Sequence, residues 1–582
     1  MYDLVVRGGS VVDGTGAPAR EADVAVEGDR IAAVGPGLGR GRRELDARGL
    51  LVTPGWVDLH THYDGQATWD PELGPSGWHG VTTVVMGNCG VGFAPARPDR
   101  REWLIGLMEG VEDIPGSALA EGIRWGWESF PEYLDALERM PRALDVAAQV
   151  PHGAVRAYVM GERGARNQEA TPEDVTAMAA LVEEALRAGA VGFSTSRTLL
   201  HRAVDGEPVP GTFAGEAELL GIGAALGRAG RGVFELASDL APEERELAWM
   251  AKLARATGRP VTFACLQNDF DPAQWRRLLA SAERCAAEGV RLVPQVAARP
   301  TGLLLGLQGT LHPFVAHPAY REIAELPVPE RLAALRDPAR RARILGEPAP
   351  VASPILAFVT TAFHRLFPLG DPPDYEPAPE RSVAALARCL GRPPQEVAYD
   401  LLLQREGTEL LYFPLLNYAG GDFAAIREML EHPGVVVGLS DGGAHCGVIC
   451  DASAPTFLLT HWARDRQRGE RLPLERLVQA QTSRTAELYG LEDRGALVPG
   501  LRADLNGIDF EALRLEPPRM VFDLPGGSRR LVQRAEGYRF TLCAGEVTFR
   551  DGEPTGARPG RLVRGPRPRP ERAQDAAGAV SA

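Results

Sequence analysis

LVTPGWVDLHTH, residues 51–62, is an apolar run that closes on two histidines one residue apart. Seven further stretches share its build: GVTTVVMGNCG from 80, LDVAAQVPHG from 144, AGAVGFSTSR from 188, GVFELASD from 232, RPVTFACLQND from 259, RLVPQVAARP from 291 and GVVVGLSDGG from 434. Strands apolar on both faces belong to a parallel sheet covered on both sides. Helical segments lie between them, such as TPEDVTAMAALVEEALRAG at 171–189, where a Thr cap is followed by Pro at the first helical position. Eight buried strands alternating with helices predict an α/β fold, a (β/α)8 TIM-like barrel.

The flanks read differently. The first fifty residues are short strands joined by Gly and Asp turns, with EGDR at 27–30 as a hairpin signal. The same character returns after 486, so the two termini are expected to build one small β-sandwich. We therefore divide the chain into 1–53 and 486–564 for that sandwich, 54–485 for the barrel, and 565–582 as a Pro- and Arg-rich tail expected to be disordered. Two insertions, at about 95–143 and 302–433, interrupt the barrel alternation, and insertions after barrel strands tend to lie at the catalytic face.

The chain has 582 residues, 45% of them hydrophobic and 24% charged, with a formal net charge of −14. That balance is globular and argues against binding nucleic acid or anionic membranes, pointing instead to small-molecule partners. No apolar stretch reaches membrane length and no signal-type N-terminus is visible, so a cytoplasmic protein is expected, with homo-oligomerisation left open. Seven scattered cysteines suit a reducing compartment, and CGVIC at 446–450 reads as incidental thiols.

Catalytic groups gather at the C-terminal ends of barrel strands. His60 and His62, two apart on a strand, point to one face and form half of a metal site. Asp58 and Asp64 flank them as supporting groups or turn formers. Asp441 ends an apolar strand with a carboxylate, which is costly to bury without a cation or strong donor. Cys89, between glycines in MGNCGVG, is either a thiolate ligand or a buried free thiol, and the residues alone do not choose. Arg197 and His201, after the fourth strand, are candidates to hold a substrate carboxylate, with a solvated basic loop as the plain alternative. His152 and His445 are further candidates for the substrate pocket, and His152 or His201 could polarise a carbonyl.

Taken together, DLVVRGGSVVDGTG (3–16), PGWVDLHTHYDGQATWDP (54–71), GVTTVVMGNCGVGFAP (80–95), GAVGFSTSR (189–197), SDGGAH (440–445) and GLRADLN (500–506) resemble the amidohydrolase superfamily, and within it the N-acyl-D-amino-acid deacylases. The resemblance implies zinc inside a barrel, a β-sandwich from both termini, and amide hydrolysis by metal-activated water with the last-strand Asp as general base. Carried onto this chain, it implies His60, His62, Cys89 and Asp441 as metal ligands and Asp441 as the base. The substrate it implies is an N-acyl amino acid-like small molecule, D-configured in the family's pattern.

The chain also departs from that pattern. The family carries histidines at the ends of strands five and six; here Ala237 and Cys265 stand near those positions, with Glu235 and Asp239 close by. Lys252 is the only lysine, and it falls in a helical segment, which argues against a carboxylated-lysine bridge. One Zn2+ per chain is therefore expected. A cyclic-amide or dipeptide-like hydrolase of the same superfamily, or a catalytically impaired ligand-binding barrel, are the competing expectations.

Overall fold

The computed structural model of the chain describes residues 1–348, 350 and 354–571, and the counts below concern these residues. All eight stretches singled out in the sequence enter one parallel sheet, and their order in it is their order along the chain: Trp56–Asp58, Val81–Met86, Asp145–Pro151, Gly192–Arg197, Val233–Ser238, Val261–Ala264, Leu292–Val296 and Val436–Val437. The sheet closes where Thr61 pairs with Gly442, beyond the ends of the first and eighth strands. Closure is tightened there by His62 N–H donating to Gly442 O at 2.8 Å and Asp441 N–H to His60 O at 3.1 Å. The histidine pair and the last-strand aspartate are thus stitched together by backbone before any side chain is considered.

The helices between strands form for the reasons visible in the sequence. In Pro172–Ala188 the Thr171 side chain accepts from Asp174 N–H while Asp174 caps in return, a reciprocal box that satisfies two otherwise orphaned donors. Along the inward face of the strands the character changes with depth. Val57, Leu59, Val85, Ala147, Val191, Val233 and Val436 pack with Leu488, Tyr489 and Leu491. Two residues further along the same faces the buried side chains turn polar: Gln149 after Ala147, Glu235 after Val233 and Gln295 after Val293.

Both chain ends share one nine-stranded sheet, in which Leu51–Pro54 lies between Tyr2–Val11 and Leu505–Ile508. Leu4, Val6, Val24, Val26, Ile31, Leu505, Phe540 and Leu542 form its core, and the expected hairpin pairs Arg20–Glu27 with Arg30–Gly35. The LVTPGWVDLHTH stretch is therefore two elements: its first four residues serve this sheet and the rest serve the barrel. A buried ion network ties the two parts together. Arg494 Nη1 donates to Asp145 Oδ2 at 2.7 Å and to Thr83 Oγ1 at 2.9 Å, and Arg502 Nη2 donates to Asp145 Oδ1 at 2.9 Å.

The first insertion folds as three helices, Arg101–Glu112, Gly116–Gly122 and Phe130–Glu138. The second builds a three-stranded sheet and a separate apolar core that includes Leu305, Phe314, Leu332, Val397 and Phe413. Within the segment expected to be a tail, Arg567 N–H donates to Gly490 O and Glu492 N–H to Arg567 O, both at 2.8 Å. The remainder of that tail, from 572, lies outside the described residues. Among the described residues no helix is long and apolar enough to cross a membrane.

Candidate metal centre

The NCG turn shows how sequence fixes one side of the site. Gly87, Cys89 and Gly90 all have positive φ, of 80°, 55° and 71°. A Cβ on Gly87 would lie 2.4 Å from Gln149 O and one on Gly90 2.8 Å from Ser196 N, so side chains are excluded by backbone on both sides of the thiol. Asn88 locks the turn by donating to Thr61 O and Val85 O, each at 3.0 Å. The outcome is a thiol aimed at the histidine pair: Cys89 Sγ is 3.3 Å from His60 Nε2.

Asp441 completes the cluster. Its Oδ1 lies 3.4 Å from His60 Nε2 and 3.6 Å from His62 Nε2. His60 Nδ1 meets Gln295 Oε1 at 3.0 Å. His62 Nδ1 and Glu112 Oε1 face each other at 3.3 Å without the alignment of a hydrogen bond. Both rings present Nε2 to Asp441 Oδ1. Donor atoms of His60, His62 and Cys89 all lie within 4.8 Å of one another, the one such group of three or more His, Cys, Asp or Glu among the described residues.

Electrostatically the site is rich in buried carboxyls. Asp58, Asp64, Glu112 and Glu235 are buried around it, and no arginine or lysine among the described residues comes within hydrogen-bond or ion-pair distance of them or of Asp441. Burial pushes Asp58 and Asp64 up to about 7 and Glu235 up to about 8. Burial also lifts the Cys89 thiol well above its ordinary value, helped by Glu235, Glu112 and Asp441. Asp441 goes the other way: burial opposes ionisation, but the His62 hydrogen bond and the nearby His60 and His445 hold it well below the usual carboxylate range. His62, desolvated yet facing Glu112 and Asp441, rises to about 9, while burial drops His60 to about 4. In addition, Glu235 Oε1 is buried without a hydrogen-bond partner. Two neutral imidazoles with a thiolate and a carboxylate would balance one divalent cation, and nitrogen, sulfur and oxygen donors of this kind suit zinc. The residues present fit such an ion.

The structure sorts the remaining candidates. His201 stays beside the cluster, its Nδ1 on Ser196 Oγ at 3.1 Å, and burial with the nearby His445 and His62 lowers it to about 3. His445 lies against Glu112, with Nε2 3.6 Å from Oε2. Arg197 points elsewhere: Glu246 takes its guanidinium in two bonds of 2.7 Å, so its strand parity leaves no free fork for a substrate carboxylate. His152 likewise uses both nitrogens away from the cluster, on Thr195 Oγ1 at 2.8 Å and Glu218 Oε1 at 3.0 Å. On strand six, Cys265 is fully buried, and burial raises its thiol to about 12. On strand five, Glu235 rather than Ala237 makes the contact, accepting Cys89 N–H at 3.1 Å and lying 4.0 Å from His60 Nδ1.

Glu112 went unread in the sequence. It sits at the end of the helix Arg101–Glu112, after buried Leu104 and Met108 at intervals of four. A carboxylate continuing an apolar stripe is the signal that could have found it.

The parallel barrel brings His60, His62 and Cys89 together at the C-terminal ends of its strands with Asp441 beside the two imidazoles, a donor set that could hold a metal ion in an α/β barrel. The profile of the amidohydrolase family matches residues 43–549, and the chain belongs to that family. D-aminoacylase of Alcaligenes xylosoxydans xylosoxydans is 40% identical over 195 residues, which cover 33% of this chain and 37% of that enzyme. The matched stretch thus spans little more than a third of that relative. N-acyl-D-glutamate deacylase of the same organism is 28% identical over 585 residues, 97% of this chain and 96% of the relative. A solved D-aminoacylase, studied for a binuclear metal centre with one-metal activation and second-metal attenuation, superposes with a TM-score of 0.65 at 25% identity, covering 97% of this chain and all of that one. The resemblance to N-acyl-D-amino-acid deacylases read from the motifs is the one these relatives carry.

Proposed function

We propose that this chain hydrolyses the amide C–N bond of a small N-acyl amino acid-like molecule, with one divalent metal ion, zinc by its donor set, held by His60, His62, Cys89 and Asp441. One observation carries the reading: two imidazole nitrogens and a thiol converge with the Asp441 carboxylate in a buried volume rich in carboxyls. When bound, such an ion supplies Lewis acidity, making water a better nucleophile and a carbonyl carbon a better electrophile.

The protein's own groups do the rest. Asp441, kept ionised by its imidazole neighbours, accepts the proton of the attacking water and delivers it to the leaving nitrogen. Gln295 and Glu112 hold the two rings with Nε2 forward. His201, whose pKa burial lowers, offers a polar group beside the site for the developing oxyanion. The absence of histidine from the ends of strands five and six supports one ion rather than two. The D-aminoacylase relatives support an N-acyl substrate, and the D configuration is part of that proposal.

Metal analysis of the purified protein, paired with amine release from matched N-acyl-D- and N-acyl-L-amino acids, tests the reading. We expect about one equivalent of zinc and turnover that disappears in His60→Ala. Protein that neither takes up zinc nor releases amine after zinc is supplied would refute it.

A further inference from the structure

We infer that Glu112, supplied by the first insertion, is a positioning residue for His62: its carboxyl faces the back of the ring and sets the orientation on which metal capture depends. The inference rests on the metal reading above. His60 has a partner from the barrel itself, Gln295 on strand seven, whereas the partner of His62 comes from outside the barrel strands. Glu112 Oε1 faces His62 Nδ1 at 3.3 Å, and Oε2 lies 3.6 Å from His445 Nε2. Neither Glu112 Oε1 nor His62 Nδ1 has a hydrogen-bond partner among the described residues, so each buried atom has the other as its facing polar group.

The same helix end is anchored by separate contacts. His445 N–H donates to Glu112 O, and Asp113, in the left-handed region at φ 50°, accepts from Gly447 N–H at 2.9 Å and from Thr310 Oγ1 at 3.0 Å. The backbone of Glu112 and the side chain of Asp113 are therefore enough to dock the insertion on the strand-eight loop. Docking gives no reason to bury the Glu112 carboxyl, which is 2% exposed and costly to desolvate. A role toward His62 does.

The contrast between these neighbours provides the test. Glu112→Met keeps length and packing but removes the acceptor; Glu112→Gln keeps an acceptor oxygen; Asp113→Ala cuts the docking contacts without touching His62. Zinc affinity is read by chelator competition, and ligand geometry by the absorption spectrum of the cobalt-substituted protein. We expect Glu112→Met to bind zinc about 10- to 100-fold more weakly, as loss of a group behind a ligating histidine typically does. Its cobalt spectrum should shift, Glu112→Gln should recover most of the affinity, and Asp113→Ala should stay within about threefold of the parent. Zinc affinity in Glu112→Met within about threefold of the parent overturns the inference. So does an Asp113→Ala variant as weak as Glu112→Met, because docking alone would then explain the effect. Should Glu112→Met not fold, Glu112→Gln decides on the spectrum: a parent-like cobalt environment supports positioning, and a changed one overturns it. A parent protein that binds no metal would remove the metal reading itself, an outcome separate from a metal-binding parent with an indifferent Glu112.

Discussion

Asp441→Asn separates the proposed base from its ligand role. Asp441 sits at φ 48°, in the left-handed region that asparagine also tolerates well, so the substitution should leave the backbone hydrogen bond from its N–H to His60 O intact. Asparagine keeps an oxygen in the position now 3.4 Å from His60 Nε2, but that oxygen has no useful basicity. Because the histidines hold Asp441 ionised well below the assay range, its whole contribution as base is present in the parent and lost in the variant. General-base catalysis contributes about 10²- to 10⁴-fold, equivalent to about 2.7–5.5 kcal/mol of transition-state stabilisation. We therefore expect kcat to fall by that factor while bound zinc, measured by elemental analysis on the same sample, stays near the parent's value. KM should move only a few-fold, as for an interaction made chiefly in the transition state. Should metal-replete Asp441→Asn retain kcat within about threefold of the parent, well short of the range expected for a base, the assignment of Asp441 would be refuted.

Three more outcomes follow from the same geometry. In metal-stripped protein, His62 is raised to about 9, so its stabilising contribution is full below about 6.5 and lost as pH rises through 9; Glu235, raised to about 8, also favours the folded state only while protonated. Both signs agree, and the Tm of the stripped protein should fall between pH 6 and 9, whereas a flat or rising Tm would contradict the charge assignment. Gly110→Ala would put a Cβ 2.3 Å from the Ala203 carbonyl carbon, displacing the loop that carries His201; kcat/KM should drop about tenfold, roughly what about 1.4 kcal/mol of lost transition-state binding gives, at unchanged metal content. Arg494→Met removes one of the two guanidinium partners of the buried Asp145 carboxylate, leaving Arg502, and should cost about 1.5–3 kcal/mol in denaturant unfolding, with an unchanged midpoint counting against the network.

The barrel was legible because buried parallel strands need apolar residues on both faces, a pattern local to each stretch. What was illegible locally was where one such stretch changes allegiance. LVTP and WVD are contiguous and equally apolar, yet they pair with different sheets. The site divides along the same line. His60, His62, Cys89 and Asp441 sit at strand ends, whose depth follows from the fold. Arg197 and His152 sit there too, but which way a side chain leaves the rim depends on partners distant in sequence, here Glu246 and Glu218 from later helices.

Glu112 marks the other limit. An insertion has no register with the strands, so its contribution to the site becomes visible only once its helix is docked. The docking is nevertheless written in small residues: Gly106 and Gly110 leave room for Val204 and the Arg202–Ala203 backbone to lie against the helix Arg101–Glu112. That close approach sets the strand-four loop, with His201, beside a helix whose last residue meets His62 and His445. In the proposed reading the barrel supplies the metal donors and, through Gln295, the partner of His60, while the first insertion supplies Glu112 beside His62 and the surface against which the His201 loop rests. Changes in the insertion would then bear on His62 and on that loop together, without altering any strand.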